Sequence, residues 1–278
     1  MSLKVGLIAG DGDFPLEVIK SIINQKKDVF VIGVKGSASK EIENYPHYWI
    51  RMGQIGSAIK MLKKNNCKDL ILIGGVRKPN VWLLFPDFGA LKLFFKLVLL
   101  PKKGDASILK ILISFLEKDH DFNIIGAEDY INHLLISEGH LSGKLLTVDN
   151  RNDIKLAIKT CYEIGLNDIG QACVVVDGKV ILSEDINGTD EMLKKIISRN
   201  IDFKGKGVLV KMVKPLQDRR VDLPAIGIRT LELINKIGLS GIALEANSAF
   251  ISEKTKVIEY ANNNNLFVYG LSKDKEFE

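Results

Sequence analysis

Residues 3–27 read LKVGLIAGDGDFPLEVIKSIINQKK, and this stretch decides the fold class. Leu3–Ala9 is a short, mostly apolar run followed by glycine, which predicts a buried strand. Leu16–Lys27 carries apolar residues at 16, 19, 22 and 23, a helical spacing. Between them lies Gly10-Asp11-Gly12-Asp13-Phe14-Pro15. Pro15 suits a first helical turn, and Asp13 is a candidate N-cap. A strand, a glycine turn and a helix in this order aim backbone N–H groups and a helix N-terminus at an anion, as nucleotide-binding folds do. The dinucleotide fingerprint needs three glycines; here Gly10 and Gly12 fill two places and Pro15 stands in the third. Two readings stay open: a phosphate cradle made by Gly10, Asp11, Gly12, Phe14 and Pro15, or a structural turn.

Further along, Asp28–Val34 predicts a strand, Gly53–Asn66 a helix and Asp69–Gly74 a strand. That alternation argues a doubly wound parallel sheet, whose ligands lie at the carboxyl ends of the strands. Gly75 and Arg77 follow such an end, where Arg77 is either a phosphate partner or an exposed cation. Helices over Asp87–Leu100 and Asp105–Lys118 and a strand at Phe122–Ile125 complete a Rossmann-like domain, residues 1–132. Residues 133–150 read as a connection. A second α/β domain, 151–278, is read as catalytic: a helix over Asp153–Gly165, a hairpin over Gln171–Leu182 around Asp177-Gly178, and helices over Glu191–Ser198, Gly227–Ile237 and Ser252–Asn262. Strands at Gly241–Glu245 and Leu266–Gly270 belong with these.

The totals set limits on function. With 278 residues, 46% hydrophobic and 26% charged, the chain is globular and long enough for two domains. A net charge of +5 with scattered lysines does not call for nucleic acid but tolerates anionic substrates. Cys67, Cys161 and Cys173 are odd in number and far apart, so they give neither a disulfide framework nor a zinc pattern; buried thiols in a reducing cytoplasm are expected. Met1–Gly10 is too short for a signal peptide, and Ala90–Leu100 spans about half a bilayer. The stripe Leu83–Leu100, flanked by lysines, is core, a subunit contact, or an interfacial surface and acyl-chain groove.

Gly207–Thr230, GVLVKMVKPLQDRRVDLPAIGIRT, carries the chemistry. A core strand runs straight into Lys214, Gln217, Asp218, Arg219, Arg220 and Asp222, which is costly unless the charges meet a ligand, a metal or one another. Pro224 biases Leu223 toward extension. An extended chain would set Asp218, Arg220 and Asp222 on one side. Carboxylates interleaved with guanidinium groups suit a magnesium-bound phosphate; the alternative is a surface turn with an internal Asp–Arg network. Thr189 and Asp190 either cap the helix that follows them or present a hydroxyl and a carboxylate to the same ligand.

GLIAGDGDFP at the start, GGVRKP at 74–79, GD at 104–105, NGTDEML at 187–193 and KMVKPLQDRRVDLPAIG at 211–227 together resemble the UDP-2,3-diacylglucosamine pyrophosphatase family of lipid A synthesis, in the type that is not calcineurin-like. The resemblance covers essentially the whole chain. It implies magnesium-dependent release of UMP and 2,3-diacylglucosamine 1-phosphate by water attack at the α-phosphorus. It makes Asp218 and Asp222 candidates for metal binding and water activation, with Asp222 the essential acid. It makes Lys211, Lys214, Arg219 and Arg220 candidates for the diphosphate, and Gln217, Gly188, Thr189 and Asp190 are counted with them as substrate-binding. Gly10–Pro15, Gly75 and Arg77 fall on the nucleotide side. Asn187, Ala106 and Ala246-Asn247 depart from the family pattern, where Glu, Asp and Gly-Gly are usual.

The expected partner is an acylated UDP-sugar, drawn by a cytoplasmic protein, soluble or peripheral on the inner membrane, through transient surface contact; a homodimer is compatible. Two other readings remain at this stage. A nicotinamide-dependent oxidoreductase would use the opening turn, but Lys35 and Gly36 stand where a ribose-binding acid belongs. A non-catalytic nucleotide-sugar binding module would bind without releasing UMP.

Overall fold

The computed structural model describes residues 4–76, 87, 89, 105–215 and 217–272. Apart from Asp87 and Gly89, the Asp87–Leu100 helix and the Leu83–Leu100 stripe lie outside the described residues, as does Arg77. The chain forms two compact units. The first is Met1–Asn132 together with Asp218–Asp222; the second is His133–Gln217 with Leu223–Glu278.

In the first unit, β1 (Lys4–Ala9), β2 (Val29–Val34), β3 (His47–Ile50), β4 (Cys67–Ile73) and β5 (Asn123–Ile124) form a five-stranded sheet in the order β3-β2-β1-β4-β5. Every pairing is parallel. This is the Rossmann order, in which the winding direction reverses between β1 and β4 and opens a crevice at the carboxyl ends of those strands. The uninterrupted apolar character of the strands follows from helices on the sheet: β2 is buried along its whole length. Helix α1 (Phe14–Asn24) starts with proline in its first turn and buries Val18, Ile19 and Ile22. Helix α2 (Ile55–Lys64) buries Ala58, Ile59 and Leu62. Helix α3 (Asp105–Ser114) runs into a π-helical turn over Phe115–Asp119, and the short α4 (Glu128–Ile131) closes the unit. Strand β3 gave no signal in the sequence. Its four residues, HYWI, lie at the sheet edge, where only Ile50 is fully buried.

The second unit holds β6 (Gly139–Ser142), α5 (Val148–Leu166), β7 (Ala172–Val176), β8 (Lys179–Ser183), α6 (Thr189–Ile197), β9 (Val208–Lys211), β10 (Ala225–Ile226), α7 (Ile228–Ile237), β11 (Gly241–Glu245), β12 (Phe250–Ile251), α8 (Lys254–Asn263) and β13 (Phe267–Leu271). Six strands form a mixed sheet, β6-β13-β11-β9-β7-β8. Alternation along β7 decides its two faces. Ala172, Val174 and Val176 pack with Met192, Leu231 and Ile234 of α6 and α7, whereas Cys173 and Val175 pack with Ile154, Ala157 and Cys161 of α5.

Two readings of this half need correcting. The stretch 133–150 is not bare connection, for β6 pairs antiparallel with β13 and α5 begins at Val148 behind a Thr147–Asn150 capping box. Helix α6 is not capped by Thr189 or Asp190; Gly188 holds the N-cap position and no side chain caps it. The hairpin turn has positive φ at both Asp177 and Gly178, as its type requires, and Asp153 of α5 accepts hydrogen bonds from both turn N–H groups. All three cysteines are buried free thiols.

Candidate functional site

The glycine turn after β1 meets the turn after β4. Gly10 N donates to Ile73 O (2.9 Å), Asp11 N to Gly75 O (2.6 Å), and Gly75 N back to Asp11 O (3.1 Å). Gly12 N donates to the Asp11 carboxylate at 3.0 Å. The approach is so close that a methyl group on Gly10 would overlap the carbonyl oxygens of Gly74 and Gly75. Glycine is required here by a loop-to-loop contact, and the N–H groups of residues 10–12 are spent inside the protein.

Beside this contact a cavity of about 690 Å³ opens at the carboxyl ends of the strands. Ile8, Val34, Ile50 and Leu72 reach it from the sheet, Ile108 and Leu112 from α3, and Gly75 and Val76 from the turn after β4. Val221 and Asp222 complete the wall, and among the described residues that line the cavity Asp222 is the one charged group.

Residues 218–222 are a tight turn, and this corrects the extended geometry expected from Pro224. The N–H groups of Val221 and Asp222 both donate to Asp218 O, at 3.2 Å each. Pro224 restricts Leu223 only, while Asp218 builds the turn with its own side chain: its Oδ1 accepts from Arg220 N (3.1 Å) and Nε (3.0 Å). Arg220 Nη2 donates to Asp218 Oδ2 (2.8 Å), and Nη1 donates to Glu117 Oε1 (2.7 Å) and Ile124 O (3.1 Å). This forked pairing holds the Asp218 carboxyl below the usual carboxylate range, partial burial opposing it, and keeps Arg220 firmly charged. The network anchors Val221 against the apolar core of the first unit, with Asp222 next to it.

A model described as the LpxI N-terminal domain matches residues 4–134, and one described as the LpxI C-terminal domain matches 137–269. The chain is 32% identical over 273 residues to a Caulobacter vibrioides protein named UDP-2,3-diacylglucosamine pyrophosphatase LpxI, covering 96% of this chain and 97% of that one. The chain belongs to the LpxI family. Among solved structures it is similar to a UDP-N-acetylglucosamine 4-epimerase from Bacillus cereus at 12% identity over 98% of this chain and 86% of that one; the TM-score of 0.30 is too low to carry an argument.

Within this LpxI-family chain the other sequence candidates are scattered over distinct local tasks. Lys211 Nζ donates to Ala225 O (3.2 Å). Lys214 forms an ion pair with Asp168 (2.8 Å), both side chains largely buried, and its backbone N–H donates to the side chain of the buried Gln217. Arg219 is exposed. Asp190 pairs with Arg229 (3.2 Å). Thr189 is buried at the start of α6, and its hydroxyl has no hydrogen-bond partner among the described residues. The two departures from the family pattern that the structure describes fully have local explanations. Lys195 Nζ donates to Asp185 (2.6 Å) and Asn187 donates to it from backbone and side chain, and together, Lys195 foremost, they bring that carboxyl down to about 2. Asn247 sits at φ 55°, a left-handed conformation that asparagine tolerates where glycine is otherwise preferred.

The donor set also bears on magnesium. Among the described residues no three His, Cys, Asp or Glu side chains cluster as a cage, and both oxygens of Asp218 are engaged by Arg220. Asp222 is the carboxylate that lines the cavity wall. Magnesium commonly needs no more protein than one or two carboxylates when phosphate oxygens complete its shell, so the residues fit an ion shared with a phosphate ligand. The sequence missed Glu117, Ile108 and Leu112; the last two were visible as an i, i+4 apolar pair on the helix over Asp105–Lys118.

Proposed function

We propose that the chain is a hydrolase that cleaves the diphosphate of UDP-2,3-diacylglucosamine to UMP and 2,3-diacylglucosamine 1-phosphate, a step of lipid A synthesis. The observation that carries this reading is the end-to-end match to a relative named for that activity, combined with Asp222, the one carboxylate among the described residues that line the strand-end cavity. Asp222 takes the proton of the attacking water and is the side chain that would hold magnesium against the diphosphate. When bound, the ion supplies charge neutralisation on the phosphate oxygens. Asp218 and Arg220 position Asp222 by fixing the turn. Lys211 and Lys214 would meet the diphosphate only by exchanging their present partners. Among the described residues no helix is long and apolar enough to cross a membrane, so an acylated substrate would be taken up at the inner-membrane surface by transient contact. A nicotinamide dinucleotide is disfavoured because the N–H groups of residues 10–12 already serve the turn.

The test is Asp222→Ala assayed by UMP release in magnesium. Turnover is expected to fall by about 10³-fold or more, with an unchanged unfolding midpoint and retained substrate binding. Near-normal turnover would remove Asp222 from the mechanism. Tight binding of the UDP-sugar by the unaltered protein without UMP release would favour a binding module instead.

A further inference from the structure

We infer that Lys214, ion-paired to Asp168, is a positioning residue that sets where Asp222 is held, and that its ammonium does not meet the diphosphate. The inference rests on the proposed function for the role of Asp222, and on the bonded frame of residues 213–217 for everything else. The chain leaves the second unit after Gln217 and rejoins it at Leu223, with Asp218–Asp222 counted in the first. The bonds from Asp218 to Arg220 fix the shape of that turn. They do not fix its root.

The root is held from several sides. Val213 N donates to Glu245 Oε2 at 3.3 Å, Lys214 N to Gln217 Oε1 at 3.0 Å, and Gln217 N back to Lys214 O at 3.1 Å. Pro215 lies against the end of α5: a methyl group on Gly165 would come within 2.9 Å of its Cδ. Asp168 follows α5 at φ 54°, its N–H donating to Gly165 O, and its carboxylate accepts from Lys214 Nζ at 2.8 Å. The return leg is tied as well, with Pro224 O accepting from Phe250 N (2.9 Å) and Ala225 O from Lys211 Nζ (3.2 Å). The Lys214 and Asp168 side chains are only 11% and 16% exposed. An ion pair at that depth returns little net stability, because desolvation cancels most of the attraction, yet removing one partner strands a buried charge. What it supplies is geometry, a stiff link from the end of α5 to the strand end that leads to Asp222. A lysine recruited by the substrate would leave Asp168 uncompensated, whereas a brace keeps both charges paired throughout.

The experiment compares Lys214→Met, Asp168→Asn and the double variant in the full chain. Asparagine tolerates the left-handed backbone at position 168, so that substitution removes the charge and little else. The first readout needs no substrate: trypsin cleavage after the exposed Arg219 under native conditions, followed by mass spectrometry. Each single variant is expected to speed it about tenfold, with cleavage elsewhere unchanged. The second readout is steady-state UMP release from UDP-2,3-diacylglucosamine, with calorimetric binding of UDP in magnesium beside it. Each single variant should lower kcat about tenfold while KM and UDP affinity stay within about twofold. The double variant should be no worse than the worse single one, as partners in one interaction require. A higher KM and weaker UDP binding for Lys214→Met, with Asp168→Asn unaffected or tighter, would overturn the inference and return Lys214 to the diphosphate. Cleavage that rises equally at all sites, or not at all, would overturn it too. Faster cleavage after Arg219 in variants of a protein that releases no UMP would keep the brace and sink the hydrolase reading.

Discussion

At the scale of single residues, the glycines of the first turn separate two explanations that the sequence left equal. Gly10 and Gly12 look alike in the motif, yet only Gly10 is pinned by neighbours: a methyl there would meet backbone carbonyls that cannot rotate away, while at Gly12 nothing lies within 4 Å and only its φ of 96° resists a side chain. Gly10→Ala is therefore expected to cost about 2–4 kcal/mol by forcing two loops apart. Gly12→Ala is expected to cost roughly 1–2 kcal/mol of backbone strain and to leave KM near normal. Urea unfolding and steady-state kinetics on both variants decide the matter; a large KM rise for Gly12→Ala at unchanged stability would restore the phosphate cradle. The sequence showed that glycines belonged here. It did not show why, because the partner loop at Gly74–Gly75 follows a different strand and meets the first only in space, through the Asp11–Gly75 bridge and the close approach of Gly74 to Gly10.

At the scale of elements, the turn over Asp218–Asp222 shows what pattern reading resolves and what it does not. Strands such as β2 and β11 were legible because burial on both faces leaves them almost purely apolar. Strands β3 and β6 were not, since edge positions let HYWI and GHLS carry polar groups. The charge cluster was legible as an anomaly, but its shape was decided by side-chain bonds from Asp218 to Arg220 that no periodicity encodes. Those bonds make a pH prediction. The Asp218 carboxyl is held below its ordinary 3.8, so the ion pair stabilises the fold fully above about pH 4 and loses its contribution as pH falls through the depressed folded value. Arg220 is more than a third exposed, which limits the effect to about 1 kcal/mol. Asp218→Asn should lower the urea midpoint accordingly at pH 7, and the gap to the unaltered protein should close below pH 3.8. A gap that persists unchanged at lower pH would mean that Asp218 acts through the shape of the turn and not through its charge.

At the scale of the whole molecule, the family match runs through both units, whereas the described residues contain no closed metal cage. On the proposed mechanism, in which Asp222 would hold magnesium together with substrate phosphates, a part of the metal in activity can be told from a part in stability. An ion held by one carboxylate and completed by substrate phosphates binds the free protein weakly, and a weak ligand stabilises by RT ln(1 + [L]/Kd), under about 1 kcal/mol when its concentration is near Kd. For a protein of this length that moves the unfolding midpoint by no more than about 2–4 °C. EDTA is accordingly expected to abolish UMP release, added magnesium to restore it, and the thermal midpoint of the substrate-free protein to stay within that margin throughout. With UMP and magnesium present together the midpoint should rise, and chelation should cancel the rise. A midpoint that collapses by tens of degrees in EDTA without substrate would reveal a built-in structural ion. Full activity in EDTA would remove magnesium from the reaction and leave Asp222 to work on water alone.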